Sequence, residues 1–137
     1  MFWNGAYRVD PDLREISYGV GEGRAQTWLS ECMVPAPDDN RLDHRGIEGG
    51  ESKRSFIARI YRATDRVIAD AHTEQIVVTH GYALTFVISR WIGLPLQNAG
   101  FVNFRSSSGG ITHLQQDDFW RNRGIRVVND TRHLSTK

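Results

Sequence analysis

Two side chains carry most of the chemistry that this sequence offers. The first is His80 in "IVVTHGYALTF" (76–86), where an apolar, β-branched run ends at an imidazole followed by glycine. A core strand has no use for an imidazole at its tip, but the crevice outside the carboxyl end of a strand does. The helix expected after it would point unpaired amides into that crevice, favouring an anion by roughly 0.3 to 2 kcal/mol. Gly81 lets the backbone turn and leaves the crevice open, so Gly81 and Tyr82 are the expected substrate-binding residues. The second side chain is Glu15 in "DPDLREISYGVGEG" (10–23). Folded towards the same crevice, it would be a carboxyl able to protonate a leaving oxygen. A histidine and a glutamate facing an anion make a phosphoryl-transfer site. Each residue also has a plainer reading: His80 as a strand cap bonded to a nearby carbonyl, and Glu15 as a solvated charge in an acidic loop.

The elements that must position them follow from local patterning. "AYRVD" (6–10) reads as a short strand, 11–23 as a loop with bends at its glycines, and 23–33 as one short helix. Residues 34–51 hold two prolines, three glycines and no period, which predicts a long surface loop over the site. Phe56, Ile57, Ile60, Tyr61, Val67, Ile68 and Ala71 recur at helical spacing, and the charged set from Lys53 to Asp70, Arg59 included, is assigned to the solvent face. Gln75–Thr79 is a buried-type strand, followed by an apolar helix to Trp91 that "GLP" ends. "FVNF" (101–104), "ITHL" (111–114) and "GIRVVN" (124–129) read as strands, with a polar turn at 106–110. Strand and helix alternation predicts an α/β fold with helices layered on a mostly parallel sheet. Trp28 and Trp91 are expected in the core.

Composition bounds the partners. The 137 residues suit one domain, and 17 basic against 16 acidic residues leave a net charge of +1. That balance gives no case for nucleic acid or an anionic membrane. The lone Cys32, read as buried filler, excludes an intrachain disulfide and suits the cytoplasm. The most apolar stretch, 82–96, is interrupted by Arg90 and falls short of the about 18 residues of a spanning helix. The beginning lacks the charged and apolar regions of a signal peptide. His44, His72, His80, His113 and His133 form no i,i+4 pair and have no cysteine partner, so neither zinc nor another cofactor is expected.

"LREISYGVGEG", a proline-rich loop, "GGES" opening a helix, "IVVTHG" and "VNDTRHL" occur in an order and spacing that resembles the histidine phosphatase, or phosphoglycerate mutase-like, superfamily. The resemblance implies that Glu15 is the acid that protonates the leaving group and later activates water. It implies that His80 is the second histidine, which binds the transferring phosphoryl group. The nucleophilic histidine of that family lies in an Arg-His-Gly motif, which this sequence does not contain: His80-Gly81 follows Thr79, and Arg132-His133 precedes Leu134. The chain therefore reads as the C-terminal part of such a domain, without its first strand and following helices.

Losing a nucleophile costs on the order of a million-fold in rate by analogy with hydrolases stripped of theirs. The expectation is thus phosphomonoester hydrolysis through a phosphohistidine in the intact family member, with this chain alone inactive or only phosphate-binding. The rivals are mutase-type phosphoryl transfer and a non-catalytic module for a phosphorylated ligand or a protein. An unpaired strand edge near 75–79 would invite pairing of two copies. Arg41 and Arg45 in the long loop are the cations nearest to hand for substrate, with solvent exposure favoured.

Overall fold

Apolar residues recurring every three to four positions drive helix formation through the face they bury, and the longest helix lies where that pattern is strongest. The computed structural model describes residues 7–135. Its elements are α1 (Gln26–Cys32), α2 (Lys53–Ala69), α3 (Gly81–Trp91), β1 (Ile111–Gln116) and β2 (Arg123–Asp130), separated by loops and short 3-10 turns. Ser52 caps α2, its hydroxyl accepting the Ser55 amide at 3.2 Å. The helix stops at Ala69, short of the apolar pattern's end at Ala71, where the Asp70 amide closes on the carbonyls of Arg66 and Val67.

Phe56, Ile57, Ile60 and Tyr61 of α2 meet Ala83, Phe86 and Val87 of α3 and, beyond them, Ala99. Phe86 stands edge-on to Phe56 at 5.4 Å and to Tyr82 at 5.0 Å, an arrangement that aromatic quadrupoles favour. Two polar ties hold the helix pair in register: Tyr61 donates to the Leu94 carbonyl at 2.8 Å, and Arg90 meets Asp65 at 2.7 Å. Leu13 and Ile16, which flank Glu15, pack on the same cluster. Burying these two neighbours fixes the direction of the glutamate between them.

β1 and β2 pair antiparallel, with Leu114 opposite Ile125 and irregular register between Ile111 and Leu114. The strands expected at "ITHL" and "GIRVVN" are therefore present. The expected parallel sheet is not formed among the described residues, where this hairpin is the sole ladder. Residues 75–79 and 102–104 form no strand and no ladder, while Phe101 ends a 3-10 turn. A strand is completed by a neighbour's N–H and C=O groups and not by its own residues, so Ile76 and Val78 stand 87% and 86% exposed. Of the strand expected at 6–10, Ala6 lies outside the described residues, and Tyr7 and Val9 are exposed.

Three further placements differ from expectation. Arg59 is buried, at 6% exposure, because it stands three residues from Phe56 and four from Ala63 on the inner face of α2. Cys32 is exposed at the end of the short α1. Trp28 and Trp91 are half-buried, and the Trp91 indole donates to the Gly124 carbonyl at 3.0 Å, joining α3 to the hairpin. No helix among the described residues is long and apolar enough to cross a membrane.

Candidate active site

Glu15 reaches the start of α3 through a series of local constraints. Asp10 accepts the Asp12 amide at 3.0 Å and so caps the 3-10 turn Pro11–Leu13. Arg66 of α2 grips both Asp10 and Asp12 at 2.8 Å, holding that turn on the helix. Beyond it, Glu15 Oε1 accepts the Ile16 amide and Oε2 accepts the Tyr82 amide, each at 3.0 Å. The Thr79 hydroxyl donates to the Leu13 carbonyl at 2.6 Å. These two long-range bonds bring Glu15 beside the segment Thr79–Tyr82, so the two motifs singled out in the sequence meet in space.

His80 is the N-cap of α3, with extended backbone at φ −96° and ψ 166°. Its carbonyl accepts the Leu84 amide at 2.9 Å, while its exposed side chain makes no capping bond. Gly81 opens the helix for a reason other than a sharp turn. A Cβ there would come within 2.9 Å of Ser106 Oγ, whose hydroxyl donates to the Gly81 carbonyl at 3.2 Å. The Tyr82 amide, expected to face an anionic ligand, is donated to Glu15, so the carboxylate sits where helix termini attract anions. Burial first, then Tyr18 and Glu15, push the Tyr82 phenol up to about 12, leaving it a protonated donor at neutral pH.

Sequence reasoning missed several groups around this pair. Lys53 donates to the Gly100 carbonyl at 3.0 Å and lies 5.8 Å from the Tyr82 ring centre. Burial, and then Arg41, hold its pKa below that of an ordinary lysine. Arg41 lies 4.1 Å over the Phe101 ring and pairs with Asp38 at 2.9 Å, while Arg45 donates to the Gly50 carbonyl at 2.8 Å. Both loop arginines are thus engaged in holding the loop. Arg59 donates to the carbonyls of Asp12, Arg14 and Glu15 and to both carboxylate oxygens of Glu51, all at 2.8 Å. Glu51 also accepts the Ser17 amide at 3.3 Å and returns its own amide to the Ser17 carbonyl at 2.9 Å. Burial alone would raise the Glu51 pKa, but the bonds from Arg59 and Ser17 and the Arg59 charge hold it below the usual carboxylate value. The "GGES" and "LREIS" motifs are therefore one bonded unit. Its helical spacing from Phe56 was the signal that could have placed Arg59 there.

An open cleft of about 550 Å³ borders Glu15 and is lined also by Arg14, Tyr18, Arg24 and Leu29, but not by His80, Gly81 or Tyr82. The hydrogen-bonded geometry, and not the cleft, defines the candidate site. Among the described residues no group of three or more His, Cys, Asp or Glu side chains could hold a metal ion.

Residues 3–130 match the histidine phosphatase superfamily (branch 1), and the chain belongs to that family. It has the α/β fold of the histidine phosphatase type. Among curated relatives it is similar to the "Probable phosphoglycerate mutase GpmB" of Erwinia tasmaniensis, 27% identical over 136 residues, covering 92% of this chain and 60% of that protein. The protein of the same name from Yersinia pestis (strain Pestoides F) is 30% identical over 135 residues, with the same coverage of 92% and 60%. The chain thus spans about 60% of the length of the curated relatives it matches. A crystal structure described as a "putative alpha-ribazole-5'-P phosphatase" from Escherichia coli shares the fold, with a TM-score of 0.60 and 24% identity over 88% of this chain and 59% of that one.

Proposed function

We propose that this chain carries the phosphate-gripping and proton-handling part of a histidine phosphatase site, acting on a phosphomonoester through a phosphohistidine intermediate wherever a nucleophilic histidine is supplied. The observation that carries this reading is the 3.0 Å bond from the Tyr82 amide to Glu15 Oε2, which seats the expected acid at the start of the helix that His80 caps. In the first step the nucleophilic histidine forms a bond to phosphorus, the bond from phosphorus to the leaving oxygen breaks, and Glu15 gives that oxygen its proton. In the second, Glu15 takes a proton from water, the water oxygen bonds to phosphorus, and phosphate leaves the histidine. His80 holds the phosphoryl oxygens throughout, joined by the Tyr82 amide once Glu15 has left it. Glu15 releases the Tyr82 amide to reach the leaving oxygen, and its protonation weakens that bond.

The chain by itself, which has no Arg-His-Gly, would bind phosphate without turning it over. The remaining expectations belong to the same proposal: a mostly parallel sheet completed by strands beside 75–79, a phosphorylated small molecule as ligand, a cytoplasmic setting, and pairing of two copies through the exposed edge. Mutase-type transfer is the second reading, favoured by the names of the curated relatives. Feeding a phosphoglycerate separates the two, since a mutase yields its isomer and a phosphatase yields inorganic phosphate.

Two measurements test the site. Titrating inorganic phosphate into the chain should show binding that His80→Ala weakens at least about tenfold, the loss of one charge-assisted contact; equal affinity in the variant would remove His80 from the site. Hydrolysis of an aryl phosphate should be absent for the chain alone, and a burst of product would show that it holds its own nucleophile. In a turnover-competent form, Glu15→Gln should slow esters with poor leaving groups more than those with good ones. A uniform drop would assign Glu15 a structural role.

A further inference from the structure

We propose that Arg59 is the positioning residue for Glu15: its buried guanidinium, aligned by Glu51, fixes the backbone carbonyls of residues 12, 14 and 15 and thereby aims the Glu15 carboxylate at the start of α3. The inference rests on the proposed role of Glu15, but the geometry behind it does not depend on any reaction. A guanidinium has five N–H donors in a rigid fork. Arg59 spends them on three carbonyls of one loop and on both oxygens of one carboxylate, at 2.8 Å each. One of those carbonyls belongs to Glu15 itself. The side chain also lies 4.7 Å over the Phe56 ring, so the fork is anchored in the core.

This arrangement costs more than a hydrophobic residue would at the same place. Burying an ion pair is repaid only when its geometry is good and its remaining protons are bonded, and a residue three positions after Phe56 could pack as a leucine with no such demand. What the charged pair adds is a fixed conformation for residues 12–15, a loop with no secondary-structure ladder of its own beyond one 3-10 turn. Lysine could supply the charge but not the planar fork. Among the described residues the Glu15 carboxylate makes a single long-range hydrogen bond, to the Tyr82 amide. Tyr82 is the second residue of α3, so its amide has no partner within the helix. Glu15 is its partner, which makes the exchange rate of that one amide a direct reading of whether the carboxylate is aimed.

The test is amide hydrogen exchange of the full chain, read residue by residue. In Arg59→Met, Tyr82 should exchange roughly tenfold faster or more, about the protection of one hydrogen bond, and match Glu15→Ala, while Phe86 to Ser89 inside α3 keep their wild-type protection. Arg59→Lys, which retains the charge and disturbs the fold less, should show the same change in smaller measure. Wild-type protection of Tyr82 in either folded variant would overturn the inference. Loss of protection across α3 together with Tyr82 in both variants would overturn it too, by making Arg59 a residue of the whole core. In a turnover-competent form Arg59→Lys should lower kcat and leave KM near its original value. If the exchange result holds while turnover is unaffected by Glu15→Gln, the clamp stands and the proposed reaction falls.

Discussion

Gly19 shows how closely the two motifs are pressed together. It holds φ at +53°, and a Cβ there would fall 2.3 Å from the Glu48 carbonyl oxygen and the Gly49 carbonyl carbon and 2.5 Å from the Gly50 nitrogen. Gly23 has φ at +77° but nothing within 4 Å of the same point. The pair separates conformational strain from collision. Gly23→Ala should lose about 1 kcal/mol, the left-handed penalty alone, whereas Gly19→Ala should lose roughly 2 to 4 kcal/mol from strain and overpacking together. Urea unfolding of both variants checks this, and equal losses would show that the loop beneath Gly19 yields. At this scale the sequence was informative about type and poor about contact. His80 stood out because a strand tip is an odd place for an imidazole, and Glu15 because it sits between Leu13 and Ile16. Which of the glycines at 19, 21 and 23 met backbone could not be read, because the backbone it meets lies near Glu48.

The elements carry the titration behaviour. Glu51, at the entrance to α2, has a folded pKa below its ordinary value of 4.5. A lowered carboxylate pKa adds stability that is fully present above the unfolded value and is lost as pH falls through the folded one. Asp10 acts in the same direction: burial would raise its pKa, but the hydrogen bond from Arg66, the Asp12 amide and nearby positive charge bring it below its usual value. Acidification from pH 5 downwards should therefore weaken the grip of α2 on residues 10–17. Glu51→Gln keeps the shape and removes the titration, so its stability should fall less steeply below pH 4.5 than that of the wild type. A slope unchanged by the substitution would place the acid sensitivity elsewhere. α2 itself was legible from its apolar period. The inward turn of Arg59 was not, because helical patterning assigns a charge to water unless its partners are already known, and three of these partners, the carbonyls of residues 12, 14 and 15, lie in another part of the chain.

At the scale of the whole molecule, what could be read depended on how far apart the partners are. α2, α3 and the hairpin strands announce themselves in local periods, and they are present. The parallel sheet does not, since a ladder is a relation between segments, and Ile76 and Val78 have the residue types of a buried strand with no neighbour beside them. Among the described residues the hydrogen bonds of the candidate site are the most non-local. The helix pair is joined by contacts 25 and 33 residues apart, whereas the bonds from Thr79 to Leu13 and from Tyr82 to Glu15 span 66 and 67. Each doubling of a loop costs about 0.6 kcal/mol of closure entropy, which favours the helix pair as the folding nucleus and makes the site a late arrival. Ile60→Val should then slow refolding, while Leu13→Ala should leave the refolding rate almost unchanged and speed unfolding. Slower refolding of the Leu13 variant in stopped-flow mixing would reverse that order. On this ordering the chain can bring its helices together before Glu15 has met the start of α3, and the candidate site is the last thing the fold acquires.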